Sequence, residues 1–439
     1  MNTQISEKLI ARIWQHQLVA NLVTDSCEPF QAIYPGRANQ TSGCDFKDAV
    51  FTIKGQIISG DAEMHVKSSQ WYSHGHHRDP KYNNIALHVV WWHDNKSPTM
   101  LQNGKTVPTI CLSPFLSYPS DELNRLELSG NFSISCPEAE RHSNSDSLNK
   151  LLTFAGEERL ASKAALFRQA LEKEEAGQVL FRGIVRALGY AQNAGLCEEL
   201  ANRLSLNFLE NAEPETDSTR QALILGTAGL LPSQRHRPVE DRETDKLERI
   251  WQSTGITETM NEAGWCFSRV RPDNFPTRRL IAFSYLLARY RQTGLLRGML
   301  QLVRKAPPGA EHRWLENGLV IDCQGYWRNH FDFGIVKKRS SALLGREKAS
   351  AIIINAILPF ACVWGEISSD LKLKRKAAEI YRRYPSPADN ELTRHMKQQF
   401  LLKPCVRLSA CQQQGLLHIF KTYCRLRNCT ACPVASNQS

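Results

Sequence analysis

The residues able to do chemistry crowd into one stretch, Tyr34 to Asp94. At its centre is Gly60-Asp61-Ala62-Glu63-Met64-His65-Val66-Lys67-Ser68-Ser69. Side chains of a β-strand alternate between two faces. A strand here therefore puts Asp61, Glu63, His65 and Lys67 on one side and Ala62, Met64 and Val66 on the other. A carboxylate can hold a hard cation, and a His or Lys can orient or deprotonate water, while the apolar side anchors the strand in a core. A solvent-facing edge strand with scattered charge is the plainer alternative. Neighbouring polar groups weigh against it: Asp45 and Asp48 come before the strand, His74, His76, His77 and Asp79 come after it, and His88 sits inside the next apolar run. The stretch reads as a divalent-metal site on a small α/β fold.

His74, His76 and His77 form a second group of candidate ligands. His-x-His suits Zn²⁺ or Mn²⁺, although loop histidines beside a charged strand more often hydrogen-bond or contact phosphate. Trp71, Tyr72, Tyr82, Trp91 and Trp92 are interleaved with these charges. Aromatics next to basic groups can stack nucleobases, whereas Trp91-Trp92 in an apolar strand fits a core.

The spacing from Asp45 to Lys67 resembles the PD-(D/E)-x-K nuclease superfamily, with Cys44 where the motif has proline and E-x-H-x-K where it has E-x-K. The resemblance implies a restriction-endonuclease-like mixed sheet. It further implies Mg²⁺ or Mn²⁺ held by Asp45 and Glu63 with Asp61 nearby, and His65 or Lys67 orienting the attacking water. His74, His76, His77, Asp79 and His88 stand as accessory residues. A longer likeness spans nearly the whole chain. YPGRANQTSGCDF, GDAEMHVKSSQWYSHGHHRDPKYNNIALHVVW, LQNGKTVPT, RPDNFPTRRL and YCRLRNCTACPV resemble a bacterial family of unknown function, which implies a two-part protein and no established activity.

Two further clusters lie downstream. Arg269, Arg271, Arg278 and Arg279 stand in SRVRPDNFPTRR, a proline-framed loop leading into a helix. Fixed φ angles and a helix N-terminus suit phosphate contacts, with an ion-pair role as the alternative. Near the end come Cys411, Cys424, Cys429 and Cys432, with Cys405 competing for the fourth place. Cys-x₂-Cys brings two thiolates to one ion, and the set suits Zn²⁺ or a [4Fe–4S] cluster. The remaining cysteines, Cys111, Cys136, Cys197 and Cys362 among them, read as small buried hydrophobes.

The elements that must position these residues are legible from periodicity. Residues 1–20 form one amphipathic helix with Leu9, Ile10, Ile13, Trp14 and Leu18 on a face. VFTIKGQII turns at Lys54-Gly55 between two β-branched runs, and IALHVVWW is a buried strand. Residues 137–147 are polar and linker-like, and helical periodicity fills the rest, including Asn193 and Asn355 in structural roles. The expected fold is thus α+β. Residues 1–140 form an α/β domain with a mixed sheet, and residues 148–439 form a mostly helical domain ending in the cysteines.

The chain has 439 residues, 42% hydrophobic and 23% charged, which excludes wholesale disorder and predicts more than one core. No uninterrupted apolar run reaches the roughly 20 residues of a membrane span, and Ala349–Trp364 reads as a buried helix. The N-terminus lacks the apolar core of a signal peptide, so the expectation is a cytoplasmic protein with reduced thiols and no membrane partner. A formal net charge of +11 favours phosphate-rich partners, nucleic acid first. Three functions fit: a metal-dependent nuclease, a non-catalytic nucleic-acid-binding protein with a cysteine staple, or a metal-dependent hydrolase of a small phosphorylated substrate.

Overall fold

In the computed structural model the described residues are all except 1–4, 16, 18, 20, 40–42, 116–135, 137–144, 212–216, 238, 268–271, 337–341, 401, 403–405 and 436–439. They divide into two compact units. The first comprises residues 1–155, 389–406 and 415–439, and the second comprises 156–388 and 407–414. The first division falls at 155/156, beyond the linker-like residues 137–147, and residues 389–406 and 415–439 group with the first unit. The fold class is α+β, with a mixed sheet in the N-terminal region followed by a mostly helical region.

The first unit starts with α1 (Glu7–Gln15), which buries Leu9, Ile10, Ile13 and Trp14; Leu18 lies outside the described residues. Strands β1 (Phe30–Tyr34), β2 (Arg37–Ala38), β3 (Phe46–Ile53) and β4 (Gln56–Lys67) pair antiparallel in the order β1-β3-β4, with β2 on β3. The β3–β4 hairpin closes with Ile53 opposite Gln56. Its two central residues, Lys54 and Gly55, both have positive φ, +49° and +80°. That is the two-residue turn whose twist matches flanking strands. After β4 comes a short helix, α2 (Gln70–Ser73), and two 3₁₀ turns at His76–Arg78 and Pro80–Tyr82. The chain then enters β5 (Ile85–Trp92), parallel to β4. A small hairpin of β6 (Thr99–Met100) and β7 (Thr106–Val107) follows, and β8 (Thr109–Cys111) pairs parallel with β5.

One sheet face and α1 share a core: Leu9, Ile10, Ile13 and Trp14 pack with Phe46, Phe51, Ala62, Met64, Leu87, Val89 and Ile110. This is the apolar side read from the alternation of β4. The opposite face differs from a solvated edge. Asp61, Glu63, His65 and His88 are 7%, 5%, 1% and 0% exposed. A smaller cluster of Cys44, Trp71, Ile85, Leu101 and Val107 covers them in part. The polar face of β4 is therefore an interior.

Among its described residues the second unit is helical apart from a short strand pair, His330–Asp332 with Ile335–Val336, in a region where the sequence pattern indicates helices alone. Its core includes Phe181, Leu223, Phe283, Trp327 and Phe360. The helical run Arg346–Ile367 has the length and hydropathy to cross a membrane, yet 72% of its most apolar window is buried inside the protein. Asn193 bridges the Cys266 backbone with two hydrogen bonds (3.1 and 2.8 Å), and the Asn355 amide donates to Ala351 O at 2.7 Å.

Candidate metal centre

β4 presents Glu63 and His65 on one face because they are two residues apart. The segment after β4 brings histidines back onto that face. Asp94 fixes where the segment begins. Its carboxylate accepts from Ser69 N–H (2.9 Å), Ser69 Oγ–H (2.8 Å) and Ser68 Oγ–H (3.1 Å), which anchors the entry to α2. Gly75 then adopts φ +77°, a left-handed conformation costly for residues with a Cβ, and so separates α2 from the next turn. His74 and His76, on either side of that reversal, meet His65. The ligand atoms of the three imidazoles all lie within 4.8 Å of one another.

Trp71, 0% exposed, forms the wall of the site. Its indole N–H donates to Met100 O at 2.9 Å, and its ring stands 5.4 Å from His76 and 5.3 Å from His88. Tyr82 lies against His76 with ring centroids 4.0 Å apart. Glu63 Oε1 is 3.5 Å from His76 Nε2 and 3.9 Å from His65 Nε2. The other carboxylate oxygen, Oε2, accepts from Asp45 N–H at 3.0 Å, and Asp45 Oδ2 accepts from Met64 N–H at 2.9 Å. Asp45 and Glu63 are thus neighbours, as the spacing suggests. Each, however, has one carboxylate oxygen committed to a backbone amide.

Behind His65 runs a chain of buried polar contacts. His65 Nδ1 is 2.9 Å from His88 Nε2, His88 Nδ1 is 2.9 Å from Thr99 Oγ1, and Thr99 Oγ1 is 2.9 Å from Thr109 Oγ1. For His65 Nε2 to offer a lone pair to an ion, Nδ1 must carry the proton and donate to His88. His88 in turn donates to Thr99. Outer partners of this kind set tautomer and ring orientation in metal sites.

Burial pushes His65 down to about 2, helped by His88, His76 and His74. Burial likewise lowers His76 to about 4, with His74 adding to it, and His88 to about 3, with His76 adding to it. His65, His76 and His88 are therefore neutral at physiological pH, and neutral imidazole is the form that ligates metals. Burial also drives Glu63 up to about 9, with the Asp45 carboxylate next in effect. A cation among the histidines would reverse that, because opposite charge within a few ångströms favours the ionised carboxylate.

The other sequence candidates are placed as follows. Asp61 accepts from Asp48 N–H at 3.1 Å and from the Cys44 thiol, so its partners are not the histidines. Lys67 is exposed at the end of β4, where its backbone N–H donates to Gln70 Oε1 at 2.7 Å. His77 lies tilted against Tyr72, ring centroids 4.9 Å apart, and stays out of the group. Asp79 caps the Pro80–Tyr82 turn by accepting from Lys81 N–H at 2.9 Å. Trp91 is 7% and Trp92 45% exposed, so only the first of that pair is core.

Two expectations need correction. Arg278 and Arg279, read as phosphate contacts, are 0% and 6% exposed. Arg278 Nη1 donates to Trp327 O and His330 O, both at 2.7 Å, and Arg279 Nη1 donates to Leu343 O at 2.7 Å. Both guanidiniums clamp backbone carbonyls in the second unit, and burial keeps phosphate from them. Arg269 and Arg271 lie outside the described residues, as does Cys405. Cys411, expected beside Cys424, Cys429 and Cys432, belongs to the core of the second unit. The helix Ala410–Thr422 sets it about three turns before the other cysteines.

Sequence reasoning missed Thr99 and Thr109, whose hydroxyls look generic in isolation, and the wall role of Trp71. The β-register that puts His88 opposite Glu63 and Thr109 supplies the connection.

An α+β chain whose sheet carries a histidine-rich, partly covered polar face is the class that fold and site define. The chain belongs to the family described as "Protein of unknown function (DUF2851)", whose model matches residues 7–390. Neither a curated protein nor a solved structure matches it.

Proposed function

We propose that the first unit is a metal-dependent hydrolase of phosphate esters, with nucleic-acid phosphodiesters as its substrate class. The observation that carries this reading is the convergence of His65, His74 and His76 within 4.8 Å, with Glu63 Oε1 at 3.5 Å from His76. Three imidazoles suit a transition ion such as Zn²⁺ or Mn²⁺ better than Mg²⁺. Three protein ligands also leave a coordination place open, the mark of a catalytic rather than structural site. The exposure of His74 gives that place a route to solvent.

The ion would supply Lewis acidity toward the phosphoryl oxygen. Glu63 takes the proton of the attacking water as its oxygen bonds to phosphorus. The phosphorus–oxygen bond to the leaving group then breaks, and the departing oxygen takes a proton from solvent. This assigns the base to Glu63 rather than to exposed Lys67 or to His65, whose nitrogens would serve the ion and His88. Asp45 positions Glu63 through its backbone amide.

The strand order supports the restriction-endonuclease-like reading. α1, four strands that pair antiparallel, the crossover through α2 and a parallel strand follow one another, with Asp45 leading into β3 and Glu63 on β4. The formal net charge of +11 supports a polyanionic substrate.

The test uses protein stripped with a chelator and reloaded with Zn²⁺, Mn²⁺ or Mg²⁺, assayed on DNA, RNA and a small phosphodiester. Wild type should cleave nucleic acid with Zn²⁺ or Mn²⁺. His76→Ala should lose the histidine-bound ion and activity together. Glu63→Gln should keep the metal while kcat falls by roughly 10²–10⁴. Equal rates in all three proteins overturn the hydrolytic reading, and cleavage confined to the small ester overturns the nucleic-acid assignment.

A further inference from the structure

The C-terminal cysteines have a partner that sequence spacing did not single out. Cys424 opens a 3₁₀ turn (Cys424–Leu426), and Arg427 reverses the chain at φ +49°. Arg427 N–H donates to Cys424 O at 3.0 Å, and Cys432 N–H donates to Cys429 O at 3.1 Å. Successive tight turns thus hold Cys424, Cys429 and Cys432 in a compact knot. The Arg427 guanidinium fastens the knot to β1 through Gln31 Oε1 at 2.9 Å. Cys136, almost three hundred positions earlier, is held by its own N–H to Gln399 O at 3.1 Å. It stands close enough to Cys424 and to Cys432 to act electrostatically on both thiols, as does Cys429. All four belong to the first unit.

We propose that Cys136, Cys424, Cys429 and Cys432 form a four-thiolate metal site that ties the C-terminal tail to the segment following the sheet. Cys-x₄-Cys-x₂-Cys with a distant fourth cysteine is a ligand spacing used for iron–sulfur clusters, and four thiolates equally make a closed tetrahedral zinc site. Both occupants share this ligand set. The closed set, with no place left for water, makes the site structural. Burial raises the cost of ionising these thiols, pushing Cys424 up to about 12, with Cys432, Cys136 and Cys429 adding to it. A cation removes that cost. Among the described residues it is the three histidines, not the thiols, whose ligand atoms all fall within 4.8 Å. No three of the four thiols meet that spacing, so coordination would have to draw them inward.

The experiment uses the full chain carrying His76→Ala, so that the histidine site does not contribute metal, purified without oxygen from cells supplied with iron and zinc. Iron, sulfide and zinc contents are measured together with visible absorbance. One zinc per chain in a colourless protein identifies the ion, whereas iron with matching sulfide and visible absorbance identifies the cluster. Adding Cys136→Ser should lower metal retention against a chelator at least ten-fold, while Cys411→Ser should leave it unchanged. Should Cys136→Ser weaken folding, substitution of Co²⁺ into the His76→Ala parent gives a direct count, since thiolate-to-cobalt absorption scales with the number of sulfur ligands. Four thiolates support the site. Absence of thiolate-bound metal, full retention in Cys136→Ser, or loss in Cys411→Ser overturns it.

Discussion

Replacing Thr99 by valine tests whether the buried polar chain behind His65 tunes the proposed metal centre. Valine keeps the shape of threonine, so packing around a side chain 3% exposed is preserved while the hydroxyl disappears. His88 Nδ1 then loses its partner at 2.9 Å and with it the preference for carrying its proton there. The His88 tautomer that donates from Nε2 becomes competitive. That proton would face His65 Nδ1 at 2.9 Å and demand that His65 carry its own proton on Nε2, the atom needed by the ion. Loss of an outer partner costs about 10–100-fold in metal affinity, roughly 1.4–2.8 kcal/mol. The unpaired imidazole nitrogen costs about 1–3 kcal/mol of stability in addition. Thr109→Val removes a partner one step further out and should cost less than ten-fold. The assay is a competitive chelator titration with Zn²⁺ on each variant, beside thermal unfolding of the metal-free forms. Wild-type affinity in a folded Thr99→Val protein, or a larger effect from Thr109→Val, refutes the tautomer argument.

Two predictions concern the second unit. Arg278→Ala should destabilise it by roughly 3–5 kcal/mol, because two carbonyls lose charge-assisted donors in a site with no solvent. Urea unfolding checks this, and loss of polyanion binding at unchanged stability would reinstate the phosphate-contact role. Lys348 is buried, and burial, with Arg279 adding to it, lowers its ammonium to about 7 from 10.5. Between those values the unfolded chain holds a proton that the folded chain lacks, so raising pH through this window favours folding by up to about 1.4 kcal/mol per unit. Lys348→Met should flatten that part of the stability–pH curve, and an unchanged slope would contradict the assignment.

Local pattern determined much of this protein. The amphipathic face of α1, the Lys54-Gly55 hairpin, the buried strand IALHVVWW and the alternation of β4 depend on periodicity and turn chemistry within a few residues, and all are present in the structure. The nearness of Asp45 to Glu63 was also legible, since a hairpin places the start of one strand beside the middle of the next. Tertiary structure decided what the spacing left open. Whether the polar face of β4 meets water depends on where Trp71 and the loop histidines fold back, and no local rule states that. Arg278 and Arg279 have the same sequence whether they face phosphate or backbone carbonyls, and here a core surrounds both. The placements of Cys411 and Cys136 were open in sequence for the same reason. A helix carries one away from the C-terminal knot, while the fold returns the other to it. Spacing specifies neighbours along the chain, and only packing specifies neighbours across it.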